Sequence, residues 1–443
     1  MTHATELATR LDRRHARIAV LGLGYVGLPL AAACHTAGFP VIGFDVNPDA
    51  AAILGAGRSH LSTVSDETVE AMAASGRFTA ASDPAVLADA DVLLLCVPTP
   101  LDRYRQPDLS AVRATARSVL PYLRPGQLVV LESTSYPGTT REVLTPILAE
   151  SGLTSGEEVF VAYSPEREDP GNTAFTTSST PKVVGADDAS ARDLATRFYE
   201  AVVARVVTVR DSPTAEAVKI TENVFRGVNI ALVNELKQIY EAMNIDIWEV
   251  QAAAATKPFG FMRFDPGPGL GGHCIPIDPF YLSWRARREG QATRFIELAG
   301  EINTAMPPRV AERCMTALND RAARAVNGAR IMVLGVAYKK NVNDTRESPA
   351  FPIMDRLRER GAEVAYHDPH VPRLPDLRHH PHLTGQAGRP LTAAELAATD
   401  MVVICTDHAG VDYHLIGEHA PIVVDTRDAM RRAGARLDRT VAA

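Results

Sequence analysis

At 443 residues the chain is long enough for two or three domains. Its 46% hydrophobic and 22% charged residues are the balance of an ordinary soluble globular protein. A formal charge of −7 without a basic tail argues against a nucleic-acid partner, no apolar run is long enough to span a bilayer, and the polar stretch Met1–His15 has no signal-peptide core. Cys34, Cys96, Cys274, Cys314 and Cys405 are scattered, odd in number and free of CxxC spacing. That pattern points to a reducing cytoplasm and away from a disulfide framework or a structural zinc site.

The N-terminal third opens with a short apolar run, Arg17 to Leu21, followed by Gly22-Leu23-Gly24-Tyr25-Val26-Gly27 and an alanine-rich helical stretch from Leu28 to Ala37. A second apolar run, Val41 to Phe44, ends in Asp45. Strand, glycine turn, helix, strand and acid form the dinucleotide-binding pattern. In it the first glycine makes the turn, the second admits a pyrophosphate, and the third lets helix and strand pack closely. Asp45 stands about 20 residues on, where an acid bonds the ribose hydroxyls and repels a 2′-phosphate, so NAD is favoured over NADP. Further buried strands are expected at Asp91–Val97, Leu128–Leu131 and Phe160–Tyr163. Ligands bind beyond the carboxyl ends of such strands, which makes Thr99 a cofactor contact. Thr134 either bonds a ligand or caps the next helix. The third strand delivers Ser164-Pro165-Glu166-Arg167-Glu168-Asp169, a run of acids and an arginine that on its own fits a solvated loop equally well.

From about Thr214 to Met243 apolar residues recur at helical spacing, interrupted only by Gly227. Lys219 and Asn223, four apart, share one face of that helix, and on its mostly apolar side they need partners. A second helix, Ile247 to Thr256, leads into Pro266-Gly267-Pro268-Gly269-Leu270-Gly271-Gly272-His273-Cys274-Ile275-Pro276-Ile277-Asp278-Pro279. Glycines let this backbone turn tightly and approach a ligand. Cys274 either presents its sulfur to a bound molecule or is a small buried hydrophobe, and Asp278 follows near enough to orient a water or take a proton.

The C-terminal third echoes the first. Ala329–Gly335 resembles Ala16–Gly22, Ala362–Asp368 parallels Pro40–Asp45, and Asp400–Thr406 parallels Asp91–Val97. The glycine fingerprint is replaced by Tyr338-Lys339-Lys340-Asn341-Val342-Asn343-Asp344-Thr345-Arg346-Glu347-Ser348, whose cations suit a diphosphate. Two nucleotides held in different ways are therefore expected. His379, His380 and His382 lie in an irregular surface segment and are assigned no metal.

Taken together these residues resemble the nucleotide-sugar 6-dehydrogenase family, the UDP-glucose and GDP-mannose dehydrogenase group, over nearly the whole chain. The resemblance rests on the Gly22–Gly27 turn, Cys96-Val97-Pro98-Thr99-Pro100, Ser133-Thr134, Pro165-Glu166, Lys219 with Asn223, Gly271-Gly272-His273-Cys274 with Asp278, and Asn343–Ser348. The stretches Ser164–Asn172 and Gly272–Leu282 look most like the UDP-N-acetylglucosamine branch. The implied fold is α/β, with two Rossmann-like doubly wound domains joined by a central helical domain with one long helix. The NAD-binding domain is set at 1–210, the central helical and dimerisation domain at 211–315 and the UDP-sugar-binding domain at 316–443, with Cys274 in the cleft between the two α/β domains.

The implied activity is a four-electron oxidation of C6 of a nucleotide sugar by two NAD. The resemblance makes Cys274 the nucleophile that passes through thiohemiacetal and thioester, and Lys219 the oxyanion donor. Thr134, Glu166, Asn223 and Asp278 handle water and protons. Gly22, Gly24, Tyr25, Val26, Gly27, Asp45, Thr99, Thr134 and Arg346 take the cofactor, the arginine from across the cleft. Glu166, Arg167, Lys219, Asn223, Gly271 and Lys339 take the sugar nucleotide, and Arg263 is the nearest candidate for an arginine that the family donates from a neighbouring subunit. A homodimer or larger assembly is implied, with no membrane or nucleic-acid partner. The chain departs from the UDP-glucose branch at Arg167-Glu168-Asp169, which leaves open whether Glu168 or Asp169 replaces that branch's second glutamate. UDP-glucose or its thymidine counterpart stays an alternative substrate. A two-electron hydroxyacid dehydrogenase needs neither the cysteine nor a second nucleotide unit. A silent NAD-binding regulator would not retain Lys219 and the Cys274 loop.

Overall fold

The computed structural model describes residues 2–61, 63–102, 104–167, 177–272 and 274–443. The chain forms two compact units, one comprising Met1–Glu222 and Phe280–Ala292, the other Asn223–Pro279 and Thr293–Ala443.

The first unit is built on strands β1 (Ile18–Leu21), β2 (Val41–Phe44), β3 (Phe78–Ala81), β4 (Val92–Leu95), β5 (Gln127–Leu131), β6 (Val159–Tyr163), β7 (Lys182–Gly185) and β8 (Val206–Val209). They lie in the order β3-β2-β1-β4-β5-β6-β7-β8, parallel throughout except between β6 and β7. Ile18 at the start of β1 is flanked by Val41 on one side and Val92 on the other. The first six strands follow the doubly wound dinucleotide order, which reverses direction between β1 and β4. Every residue of β1, β2, β4, β5 and β6 is buried. Helices cover both faces of a parallel sheet, so its strands read as continuous apolar runs. β3 and the outermost β8 are partly exposed, and neither stands out as such a run. The polar start of the chain forms a helix, His3–Asp12, which the Thr2 side chain caps and whose Leu7 and Leu11 are buried.

The second unit carries β9 (Arg330–Leu334), β10 (Glu363–His367), β11 (Met401–Ile404), β12 (Val423–Asp425) and β13 (Thr440–Ala442), in the order β10-β9-β11-β12-β13 and all parallel. This is the other common doubly wound order, reversing between β9 and β11. The echo between the two halves of the sequence is a structural one. Gly22 (φ 93°) and Gly335 (φ 78°) both end the first strand of their sheet in the left-handed region. Their amides donate to Phe44 and His367 over 2.8 Å in each case, and a Cβ on either would lie 2.4–2.5 Å from a carbonyl oxygen at the end of the strand across the switch point, that of Cys96 or Thr406.

The long helix is Ser212–Ala242, 31 residues without a break at Gly227, and the division between the units falls inside it, after Glu222. A second helix of 29 residues, Arg294–Ala322, lies wholly in the second unit and contains Pro307 and Pro308. Its length is not evident in the sequence, because an interior proline removes a hydrogen bond and ordinarily ends a helix. Among the described residues no helix is long and apolar enough to cross a membrane.

Candidate active site

In the first unit the glycine turn has the form a dinucleotide needs. Gly22 takes the positive φ of the turn. A Cβ on Gly27 would sit 1.8 Å from the Gly22 carbonyl oxygen, so the helix Gly27–Thr36 starts against the strand only because that side chain is missing. Gly24 is exposed, and a Cβ there would meet nothing within 4 Å: this is the open place in the cradle. Tyr25 and Val26 complete the turn, both half-buried. Asp45, at the end of β2, accepts the Leu23 amide on Oδ2 at 2.8 Å and the Asn47 amide on Oδ1 at 2.9 Å and stays half-exposed. These residues fit a dinucleotide: Gly22–Gly27 for the pyrophosphate and Asp45 for a ribose.

Beyond β4, β5 and β6 lie the other predicted contacts of this unit. Thr99 is buried and its carbonyl accepts the Tyr281 hydroxyl at 2.8 Å. Thr134 is half-buried, three residues past the end of β5. Glu166 is buried, and the Lys219 ammonium lies 3.4 Å from its Oε2. Arg167 donates to Glu222 and, at 2.7 Å, to the Pro181 carbonyl. Val26, Glu166 and Arg167 line one cavity, so the glycine turn and the loop after β6 meet there. Glu168, Asp169 and the rest of the stretch to Asn172 lie outside the described residues, as does His273.

A buried ion pair that the sequence does not advertise underlies this corner. Lys182, at the start of β7, donates to Glu132 and, at 3.0 Å, to the carbonyl of Pro165, just ahead of Glu166. Glu132 also accepts the Tyr199 hydroxyl. Burial pushes the Glu132 carboxyl up, against the pull of Lys182.

In the second unit the long helix holds the Cys274 loop through a ladder of buried amides. Asn234 Nδ2 donates to Asn303 Oδ1 at 3.0 Å, Asn303 Nδ2 to the Gly227 carbonyl at 3.1 Å, and the Gly267 amide to Asn234 Oδ1 at 3.0 Å. Asn223 is buried and donates to Asp278 Oδ2 at 2.6 Å. The carbonyl of half-buried Cys274 accepts the Ile277 amide at 3.2 Å and the Asp278 amide at 2.8 Å, closing a turn that runs directly into the helix Asp278–Arg288. The glycines of the loop pack on the segment after β9. A Cβ on Gly271 would lie 2.7 Å from that of Tyr338, and Gly272 (φ 81°) donates to the Arg346 carbonyl at 2.9 Å. Arg346 itself is paired with Asp344 at 2.5 Å, Lys339 is half-buried, and Arg263 pairs with Asp265 at 2.7 Å.

The chain matches the NAD-binding domain of the UDP-glucose/GDP-mannose dehydrogenase family over residues 16–203, its central domain over 213–305 and its UDP-binding domain over 332–432. The chain belongs to that family. It is an NAD-dependent nucleotide-sugar dehydrogenase. Among relatives in this family, an NDP-N-acetyl-D-galactosaminuronic acid dehydrogenase of Ralstonia nicotianae is 36% identical, over 88% of this chain and 90% of its own. A UDP-N-acetyl-D-mannosamine dehydrogenase of Salmonella typhimurium is 35% identical, over 94% and 99%. The solved structure of a UDP-D-ManNAc dehydrogenase from Pyrococcus horikoshii superposes with a TM-score of 0.87 at 31% identity, covering 96% of this chain and 98% of that one.

Within this dehydrogenase, sequence reasoning passed over Lys237 and Arg427 as well as Lys182. Burial pulls the Lys237 ammonium down to about 8 and lowers the Arg427 guanidinium too. Arg427 donates to the Cys405 carbonyl at 2.9 Å, and a Cβ on Gly267 would come within 2.5 Å of its Nη1. Desolvated cations beside a glycine backbone suit an anion. The available signal was helical spacing: Asn223, Gly227, Asn234 and Lys237 fall on one stripe of the long helix, so three polar side chains sit where apolar ones belong.

Proposed function

We propose that the enzyme oxidises C6 of a UDP-N-acetylhexosamine, UDP-N-acetylglucosamine in the first instance, from alcohol to carboxylate, with Cys274 as the covalent carrier. What carries this reading is the pairing of Asn223 with Asp278, whose backbone amide the Cys274 carbonyl accepts. Gly22–Gly27 and Asp45 would hold NAD, which would supply the hydride acceptor for each of two rounds of oxidation. The first round leaves an aldehyde. Cys274 adds to its carbonyl carbon as thiolate, and the resulting thiohemiacetal can lose a second hydride, which the free aldehyde cannot do. The product is a thioester, and water cleaves it to acid and thiol. Lys219 donates to the oxyanion that develops at C6, with Glu166 holding the ammonium in place. Asp278, oriented by Asn223, takes and returns protons, and Thr134 helps to hold the water. Tyr25, Val26 and Thr99 line the cofactor, with Arg346. Arg167, Gly271 and Lys339 contact the sugar nucleotide, and Arg263 is offered to a neighbouring copy.

The expected yield is two NADH per UDP-sugar with no free aldehyde. Cys274→Ala forms no adduct and makes little or no acid, while UDP-sugar binding survives. Cys274→Ser shows at most a single burst of NADH and a covalent adduct by intact-protein mass. Near-normal acid production by Cys274→Ala would return the chain to two-electron chemistry. A second sugar has its own support, since the Salmonella and Pyrococcus relatives are named for N-acetylmannosamine. UDP-N-acetylglucosamine, its manno and galacto epimers and UDP-glucose, compared by kcat/KM, separate these substrates. A far higher value for UDP-glucose would remove the acetamido assignment and leave the family intact. All five cysteines are outside disulfides, which supports a reducing compartment.

A further inference from the structure

Asp45 and Asp368 occupy equivalent places at the ends of β2 and β10, yet they are used differently. Asp45 accepts two amides and stays half-exposed. Asp368 is buried. Its Oδ2 accepts the amides of Val336 at 2.8 Å and Ala337 at 3.0 Å, its Oδ1 those of His370 at 2.8 Å and Val371 at 3.2 Å. The remaining contact is His408 Nε2, 3.1 Å from Oδ2, on a ring that is fully buried. The other ring nitrogen, Nδ1, lies 3.0 Å from the amide nitrogen of Asn341. A backbone N–H only donates, so Nδ1 is the acceptor, the proton sits on Nε2, and it points at Asp368.

Asn341 is in the left-handed region, at φ 60°, a conformation that needs local hydrogen bonds to hold it. Its side-chain Oδ1 accepts the Ala409 amide at 2.9 Å, and Thr406 Oγ1 donates to the Ala337 carbonyl at 2.6 Å. Three bonds from residues 406–409 thus latch the turn formed by residues 337–341, which contains Lys339. We propose that His408, oriented by Asp368, is a positioning residue for UDP binding: it fixes the backbone of Asn341 and through it the placement of Lys339. The inference rests on the reading of Lys339 as a contact to the sugar nucleotide. The acid that serves a ribose in the first unit serves, in the second, to orient a histidine.

Asparagine carries its amide oxygen where histidine has Nδ1, and glutamine places its amide near Nε2. His408→Asn therefore keeps the acceptor for Asn341, and His408→Gln loses it. UDP and NAD binding to the full-length protein are measured by calorimetry, with Tm for each variant and Lys339→Ala alongside. His408→Gln should weaken UDP about tenfold, as expected when a bond holding a contact is lost. NAD affinity should stay as in the wild type, and His408→Asn should recover most of the loss. Turnover should show the same split, KM for the UDP-sugar rising while kcat holds. If His408→Gln leaves UDP affinity unchanged while Lys339→Ala weakens it, or if the two His408 variants weaken UDP equally, the positioning role is wrong and the Lys339 assignment stands. If Lys339→Ala leaves UDP binding intact, both fall together.

Discussion

Burial pushes the Asp368 carboxyl up, but the His408 ring and the amides of Ala337 and His370 outweigh it and hold it down to about 2, against an ordinary 3.8. A carboxyl depressed in the fold contributes stability that is fully present above the unfolded value and is lost as the pH falls through the folded one. The window here is therefore from about 3.8 down to about 2. Across it the wild type should lose about 2 kcal/mol that Asp368→Asn does not have to lose. Denaturant melts of the two proteins at a series of pH values should show the variant less stable at pH 5 to 7 and the gap closing as pH drops below 4. A gap that stays constant with pH would mean that the carboxylate charge contributes nothing.

At the scale of the elements, two glycines that look alike in the sequence have opposite uses. Gly27 begins a helix where a Cβ would lie 1.8 Å from a backbone oxygen, whereas at Gly227 a Cβ would meet Ile275 at 3.6 Å and Pro279 at 3.9 Å, ordinary contact. Gly227→Ala should therefore raise stability by up to about 1 kcal/mol through helix propensity. Gly27→Ala should cost NAD binding or the folded first unit. Thermal melts with and without NAD read both, and a Gly227→Ala that melts lower would show that the helix needs slack there. The strands that both sheet faces bury were legible as apolar runs, and Lys219 with Asn223 was legible from a spacing of four residues on one helix. The partners were not. Lys182 bonds Glu132 across 50 residues of sequence, and Asn234 bonds Asn303 across 69. No local pattern encodes a pairing that exists only after the sheet or helix pair has formed. Pro307 and Pro308 hid the second long helix for the opposite reason, a local rule overridden by packing: Pro307 lies against the place where Gly269 lacks a side chain.

For the whole molecule, the second unit exposes many large apolar side chains on and around the long helix. Phe225, Leu232 and Ile239 on it and Met243 just past its end are 47–59% exposed, with Phe259 at 70%, Met262 at 64% and Phe295 at 76% nearby in sequence or on the second long helix. Exposure of this kind marks association surfaces, and it supports the homodimer or larger assembly proposed for this family member. Light scattering should find no monomer at micromolar concentration. Leu232→Glu with Phe295→Glu should shift the protein toward monomer, and an unmodified protein that runs as a monomer would remove the proposal. The sequence showed this helix as amphipathic but not which side would be left uncovered, because that depends on which face the Asn234–Asn303 contact and the Cys274 loop occupy.

The paired acids, Asp45 and Asp368, also set how the two halves of the chain can change over generations. One plan is used twice, but errors at the same position are punished by different filters. A library of substitutions at Asp45, sorted by cellular abundance, should pass almost unaltered and then fail when sorted by growth that depends on the reaction. The library at Asp368 should already be depleted in the abundance sort, because its carboxylate is tied to four amides and a buried ring. The first copy is thus free to drift in cofactor preference at little risk to folding. The second is locked, and variation in substrate choice has to come from the loops around it.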